Sequence, residues 1–288
     1  MDKNGPTPKT TSLIIIGAVY IGAFFTGYLF FQFLIGFIPE IPALLIADCA
    51  ATIVVWAAGL ACHNVSVYDP YWSVAPPVIF LIWAFYKQSF TLPVAMLLIA
   101  IWYWGMRLTL NWAGTFKSLA HEDWRYTRYR ESLSPFLFQT VNLFGLNLFP
   151  TLIVFACMLP GLGVFDSSAP AGAWTWAGFA MCIAAPTIQL FADRQIHSFR
   201  SANPGRYCDI GLWKHGRHPN YFGEILMWWG VWTIYVSLEG FARHPLYVLA
   251  PLAMTAMFLF ISIPMMERRQ LQNKPGYAEY RRRTRILI

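Results

Sequence analysis

SLIIIGAVYIGAFFTGYLFFQFLIGF, residues 12–37, runs for 26 positions without a charged side chain. About 20 apolar residues in a helix suffice to cross the hydrocarbon core of a bilayer, so this run reads as a span. Ahead of it stands a short polar start with Lys3 and Lys9, and no convincing small-residue cleavage site separates it from the next apolar run. The segment is therefore expected to persist as the first transmembrane helix and not to be removed as a signal.

The same reading extends along the chain. Of 288 residues, 57% are hydrophobic and 12% are charged, against roughly 25% charged in ordinary soluble domains. A chain of this length has too little charge to clothe one or two soluble domains. Further apolar runs lie at about 42–62, 90–110, 136–160, 172–192, 221–238 and 245–266, with a weaker one at about 74–88 that Pro76 and Pro77 interrupt. That last run is open to being a short span, a broken helix or a re-entrant piece. The expected fold is all-α: a polytopic transmembrane helix bundle of seven or eight spans with cytoplasmic interfacial loops or helices. It is expected to form a single integral membrane domain over 1–288, with a helix pair at 1–63 ahead of 64–288. Cys49, Cys62, Cys157, Cys182 and Cys208 form no CxxC pair and read as buried thiols, not as a disulfide frame or a zinc site.

If all eight runs cross, every one of the 21 basic residues except Lys87 and Arg243 falls on one side of the membrane. The positive-inside rule makes that side the cytoplasm, with both termini in it, and the expected location is a bacterial inner membrane. The polar connections at 111–135 and 193–220 and the tail at 267–288 share this side. No internal repeat suggests the paired halves of a transporter, and no GxGxxG after a strand and no GxxxxGK[ST] loop is present. The basic charge borders spans and lacks a recognition module, so no nucleic-acid partner is expected.

Four polar stretches need explaining. The first is DRQIHSFRSANPGRYCDIGLWKHGRHPNYFGE, residues 193–224. Arg200, Arg206 and Arg217 put three guanidinium groups near a helix start, which suits a phosphate or carboxylate; plain charge placement at the membrane is the alternative. Asn220 after Pro219 has the character of an N-cap and Glu224 of a first-turn acid. His215 and His218 stand three apart, but there is no HExxH and Pro219 breaks the local helix, so no metal is expected.

The second stretch is NWAGTFKSLAHEDWRYTRYRE, residues 111–131, where charges alternate with rings as in an interfacial amphipathic helix; Asn111 lies close to the membrane. The third, PMMERRQLQNKPGYAEYRRRTRILI (264–288), puts Glu267 at the end of the last span. A lipid-facing carboxylate is costly there, so an internal arginine partner is expected. The fourth, NVSVYDPYWSVAPP (64–77), carries Asp69 and Tyr71 just before the weak run, and Asp48 lies inside the second apolar run. An acid at that depth is either functional or a helix-packing hydrogen bonder.

GLWKHGRHPNYFGEILMWWG (211–230) with PMMERRQLQNKPGYAEYRRRTR (264–285) resembles the DUF1295 branch of the steroid 5-alpha-reductase-like membrane enzymes. NVSVYDPYWS (64–73) and RLTLNWAGTFKSLAHEDWRY (107–126) look like the same branch, so the likeness covers most of the chain from about 64 onward. That superfamily holds NADPH-dependent steroid and sterol reductases and also S-adenosylmethionine-dependent isoprenylcysteine carboxyl methyltransferases. Both share an R-H-P-x-Y element, here Arg217, His218, Pro219 and Tyr221, and an E…Y…Y element, here Glu267, Tyr277 and Tyr280. The resemblance implies cofactor contact by Arg217, His218, Asn220, Tyr221 and Glu224, with Glu267, Tyr280 and Arg281 closing the pocket and Asn111 joining them. Arg200, from the first stretch, is placed with this group.

What the resemblance implies for function is hydride transfer from NADPH to an activated carbon–carbon double bond of a lipophilic, steroid-like or isoprenoid-like substrate. A membrane-embedded acid then stabilises or protonates the enolate oxygen. The steroid reductases use a glutamate and a tyrosine from their N-terminal helices; this chain departs from that pattern and offers Asp48 and Asp69. Asp69 with Tyr71 is the expected acid end. Two other readings share the cofactor-end residues: a methyltransferase acting on a lipid or prenylated substrate, which needs no proton donor, and a non-catalytic lipid-binding protein, in which the arginines only place charge. Membrane lipids and a lipophilic small molecule are the expected partners.

Overall fold

A computed structural model describes residues 8–288, so Lys3 lies outside the described residues. In chain order the helices are α1 (Lys9–Leu34), α2 (Glu40–Ala61), α3 (Tyr71–Lys87), α4 (Leu92–Thr115), α5 (Trp124–Ser132), α6 (Pro135–Thr140), α7 (Phe149–Val164), α8 (Ala173–Ala202), α9 (Leu212–His215), α10 (Pro219–Glu239), α11 (Leu249–Met257), α12 (Ile263–Asn273) and α13 (Tyr277–Arg283). The described residues are all-α apart from a parallel bridge between Gly216 and Arg285. Uninterrupted apolar runs leave the backbone no partner in hydrocarbon but itself, and the helix satisfies every internal N–H and C=O within one segment.

Two rods contain a stretch of wider, π-type turns. Val141–Leu148 joins α6 to α7, and Phe258–Ser262 joins α11 to α12. Among the described residues six helices are long and apolar enough to cross a membrane: α1, α2, α4, the rod Pro135–Val164, α8 and the rod Pro245–Asn273. The other two expected runs are α3 and α10. Pro76 and Pro77 do not break α3, which continues through them for 17 residues; they forfeit the helical bonds to the carbonyls of Trp72 and Ser73. At 1.5 Å per residue α3 extends about 26 Å, a little short of the hydrocarbon thickness.

The chain divides into two compact units, Met1–Pro76 with Leu108–Ala156 and Pro77–Arg107 with Cys157–Ile288. In the first, α1 lies close against α2 through small residues. Ala23, Gly27, Ala47 and Ala51 are all buried, and a Cβ on Gly27 would meet the Ala47 carbonyl at 3.2 Å. The second unit is built on α8 and α10. A Cβ on Gly178 would stand 2.9 Å from the Gly230 carbonyl, and one on Gly230 would stand 2.5 Å from Cys182 Sγ. Glycine on both helices lets the backbones approach to a distance no larger residue allows, the usual solution where lipid gives helices no hydrophobic reason to associate.

Candidate functional site

In the second unit the polar residues expected to serve a cofactor form two clusters. The first is organised by Glu267, buried in the middle of α12. Its Oε1 accepts from Arg217 Nε at 2.7 Å and stands 3.2 Å from His218 Nε2, and its Oε2 pairs with Arg281 Nε at 2.9 Å. The arginine partner that its membrane position demanded is therefore present twice. Arg217 is buried and heavily committed: Nη1 donates to the Arg281 carbonyl at 2.8 Å and to the Thr284 carbonyl. Backbone bonds complete the latch, from Arg217 N to Arg285 O at 2.9 Å and from His218 N to Ile286 O at 3.1 Å. Gly216 permits it, since a Cβ there would press on the backbone of Leu287 and Ile288 at 3.0 Å. Tyr280 donates its hydroxyl to the Trp213 carbonyl. Tyr221 stacks on the His218 ring, centroids 5.4 Å apart.

Glu224 centres the second cluster. Its carboxylate is fully enclosed and accepts from Trp104 Nε1 at 2.9 Å, Gln189 Nε2 at 2.9 Å and Trp228 Nε1 at 3.1 Å. This indole and amide cage, and not helix capping, is what Glu224 serves. The cap of α10 is His218, with Pro219 in the first turn, so Asn220 is already helical; its amide reaches Asp193 Oδ1 at 3.4 Å. Asp193 also pairs with Arg107, which donates from Nη1 to Gln189 Oε1 at 3.1 Å while its buried Nε makes no hydrogen bond. Arg200 is exposed two turns beyond Asp193 on α8. Lys274 lies near Arg200 and Arg269; burial first, then these two cations, lowers its amine below the ordinary lysine value.

The first unit holds the remaining expected residues. Two loop segments run side by side at a constant offset of 57 positions: Asn64 Nδ2 donates to the His121 carbonyl at 3.2 Å, Glu122 accepts from Val65 N at 2.9 Å, Ser66 Oγ accepts from Asp123 N at 3.1 Å, and Asp69 accepts from the Tyr126 hydroxyl. Burial pushes the Asp69 carboxyl up to about 6, with Arg125 opposing from 3.8 Å. Tyr71 turns elsewhere. Its hydroxyl donates to Asp48 Oδ1 at 3.0 Å, and its ring, 1% exposed, lies among Tyr20, Phe24 and Tyr68. The expected pairing of Asp69 with Tyr71 is thus replaced by Asp48 with Tyr71 and Asp69 with Tyr126. Asn111 is half-buried on α4, its carbonyl bonded by Thr115 Oγ1 at 3.4 Å.

Residues 55–284 match the family described as "protein of unknown function (DUF1295)". The chain belongs to the DUF1295 family. Among curated proteins it is similar to the uncharacterized protein C594.04c of Schizosaccharomyces pombe, 25% identical over 232 residues that cover 71% of this chain and 67% of the yeast one. No solved structure matches it.

Within the DUF1295 match lie both clusters of the second unit and the paired loops of the first; Asp48 precedes it. Arg217, His218, Glu267, Tyr280 and Arg281 come together in this member, with Tyr221 against them. Asn220 and Glu224 join a different set: Asp193, from the same polar stretch, with Arg107, Gln189 and Trp104, which sequence reading did not assign to a site. Arg107 was legible only as one more positive charge at a helix end.

Proposed function

We propose that this protein is a membrane-embedded reductase that uses NADPH to saturate an activated carbon–carbon double bond of a lipophilic substrate. The observation that carries the reading is the phenol–carboxyl pair of Tyr71 and Asp48, held by rings inside apolar helices. Methyl transfer has no use for such a pair; reduction of an enone needs an acid at the carbonyl oxygen.

The second unit has the chemistry to hold a dinucleotide. Arg200 is exposed, the Arg281 side chain is 51% exposed, and Lys274 lies near Arg200, so cations reach solvent where phosphates would bind. The unpartnered Arg107 Nε and the stacked rings of His218 and Tyr221 suit amide and ring recognition. Arg217 and Glu267 serve by holding that wall in place. Bound NADPH supplies the hydride. Tyr71 polarises the substrate carbonyl by donating its hydroxyl proton, and that proton passes to the enolate oxygen as charge develops there. Asp48, when protonated, donates to the Tyr71 oxygen and restores the phenol. The basic loops and tail then face the cytoplasm, the side from which the cofactor arrives.

Separate calorimetric titrations of the detergent-purified protein with NADPH, NADH and S-adenosylmethionine test this, followed by NADPH consumption with steroid and isoprenoid enones. Saturable NADPH binding with enone-dependent oxidation is expected. Binding of S-adenosylmethionine alone overturns the reading in favour of methyl transfer, and binding of none in favour of a lipid-handling role.

A further inference from the structure

The side chain of Asn147 leaves a buried hydrogen-bonding atom open. Asn147 lies in the π-helical segment Val141–Leu148 and is 1% exposed. Its Nδ2 donates to the Asn142 carbonyl at 2.8 Å and to Asn142 Oδ1 at 2.9 Å. Turning the amide over would set an oxygen against two acceptors, so its orientation is fixed. Asn142 Nδ2 in turn donates to Gln139 Oε1 at 3.2 Å. The amides therefore form a directed chain that ends at Asn147 Oδ1, a buried acceptor to which nothing among the described residues donates.

A second open atom lies on the neighbouring helix of the same unit. Helix α2 packs against the π-helical segment, and Thr52 Oγ1 meets Thr151 Oγ1 at 3.0 Å. One turn along α2 from Thr52, the indole Nε1 of Trp56 is buried and donates to nothing. The same two helical segments turn Ile46, Ile53 and Phe144 outward, toward hydrocarbon. An open acceptor and an open donor on helices of this kind ask for a group that both gives and receives a hydrogen bond. A hydroxyl can do both with a single oxygen, as a donor toward Asn147 Oδ1 and an acceptor toward Trp56 Nε1.

We propose that α2 and the π-helical segment bind the hydroxyl end of a lipophilic alcohol that arrives through the bilayer. The site adjoins the proposed acid: Tyr68, whose ring lies against Tyr71, and Thr52 both meet Thr151 by hydrogen bonds, at 2.8 and 3.0 Å, and Thr151 donates to the Asn147 carbonyl at 3.0 Å. The proposal names the substrate class of the reading above and rests on that reading only in calling the alcohol a substrate; the binding itself involves no cofactor.

The test is equilibrium binding to the full chain in lipid nanodiscs, using two matched pairs of probes: farnesol with its methyl ether, and cholesterol with its methyl ether. Each ether keeps the skeleton and an accepting oxygen and loses only the donor proton. For at least one pair the alcohol is expected to bind saturably and roughly ten-fold more tightly than the ether, the effect of one buried hydrogen bond. Asn147→Leu should bring the alcohol down to the level of the ether, whereas Trp56→Phe should weaken both. Equal binding within both pairs, no saturable binding of any probe, or a preference that survives Asn147→Leu overturns the proposal. Should Asn147→Leu not fold, the wild-type preference and Trp56→Phe decide it. Because NADPH is absent throughout, failure of the reductase reading leaves this result standing.

Discussion

Tyr71 donates its hydroxyl to Asp48 Oδ1 over 3.0 Å, and Asp69, only two positions before Tyr71, accepts instead from Tyr126. Neighbouring acids are thus served by different phenols in different surroundings. The Asp48 pair is walled by aromatic rings within apolar helices, while the Asp69 pair belongs to the interfacial loops and has Arg125 beside it. Proton delivery suits the first arrangement, because a low-dielectric wall strengthens a hydrogen bond to developing negative charge.

Tyr71→Phe is accordingly expected to reduce turnover by roughly 10²–10⁴-fold, the usual worth of a positioned acid, with NADPH affinity unchanged. Asp48→Asn should reduce it less, since the phenol remains and only its proton supply is impaired. Steady-state rates alongside calorimetric affinities check both; a Tyr71→Phe enzyme of normal turnover removes Tyr71 as the acid.

Asp69 gives a pH signature in stability. Burial raises its carboxyl from the usual 3.8 to about 6, so the folded protein holds this proton more tightly than the unfolded chain does. Its contribution is therefore complete below about 4 and is lost as pH rises toward about 6. Asp69→Asn keeps an acceptor for Tyr126 and does not titrate. Relative to wild type, the variant should gain of order 2–3 kcal/mol between those limits, read from melting temperatures across the range. A constant difference would contradict the assignment.

The two arginines on Glu267 should behave differently. Arg217 is buried, and Arg217→Ala strips Glu267 of one partner and the tail carbonyls of their donor. A stability loss of roughly 3 kcal/mol is expected, at the low end for a broken buried pair because Arg281 remains. The half-exposed Arg281 is screened by solvent, so Arg281→Ala should leave the melting temperature nearly unchanged and weaken NADPH several-fold. Paired melting and titration curves distinguish them.

Gly178→Val tests the contact between α8 and α10. The added carbon meets the Gly230 carbonyl and the Ile234 backbone at 2.9 Å, and backbone on both sides cannot yield as a side chain would. A loss of at least about 1–3 kcal/mol is expected, seen as a lower melting temperature in detergent. The same change at Gly17, which has nothing within 4 Å of a Cβ, should be tolerated.

The six helices long and apolar enough to cross a membrane were legible because hydrocarbon imposes a length and a composition that can be counted along the chain, and α3 was the ambiguous run because its prolines carry no information about whether neighbours support them. Partners were harder to read. Glu224 had the position of a helix-start acid, and nothing local announced that Trp104, 120 residues away, would hold it. Arg107 looked like a boundary charge because its partner Asp193 is 86 residues distant. Asp69 and Tyr71 were joined by proximity in sequence, yet residues two apart entering a helix point to different sides. Asn147 lay unnoticed in an apolar run, since only the turn it makes around Asn142 gives its amide a direction.

The constant offset between the loop at Asn64–Asp69 and the loop at His121–Tyr126 means that the second is held by a ladder of hydrogen bonds, not solely by the chain on either side. A protease cut between Thr115 and Ser118 should therefore yield two polypeptides that stay together through purification, and the halves expressed as separate genes should find each other. The chain offers a natural place to be divided and reassembled, at which a reporter fragment fused to each half would signal correct insertion of both.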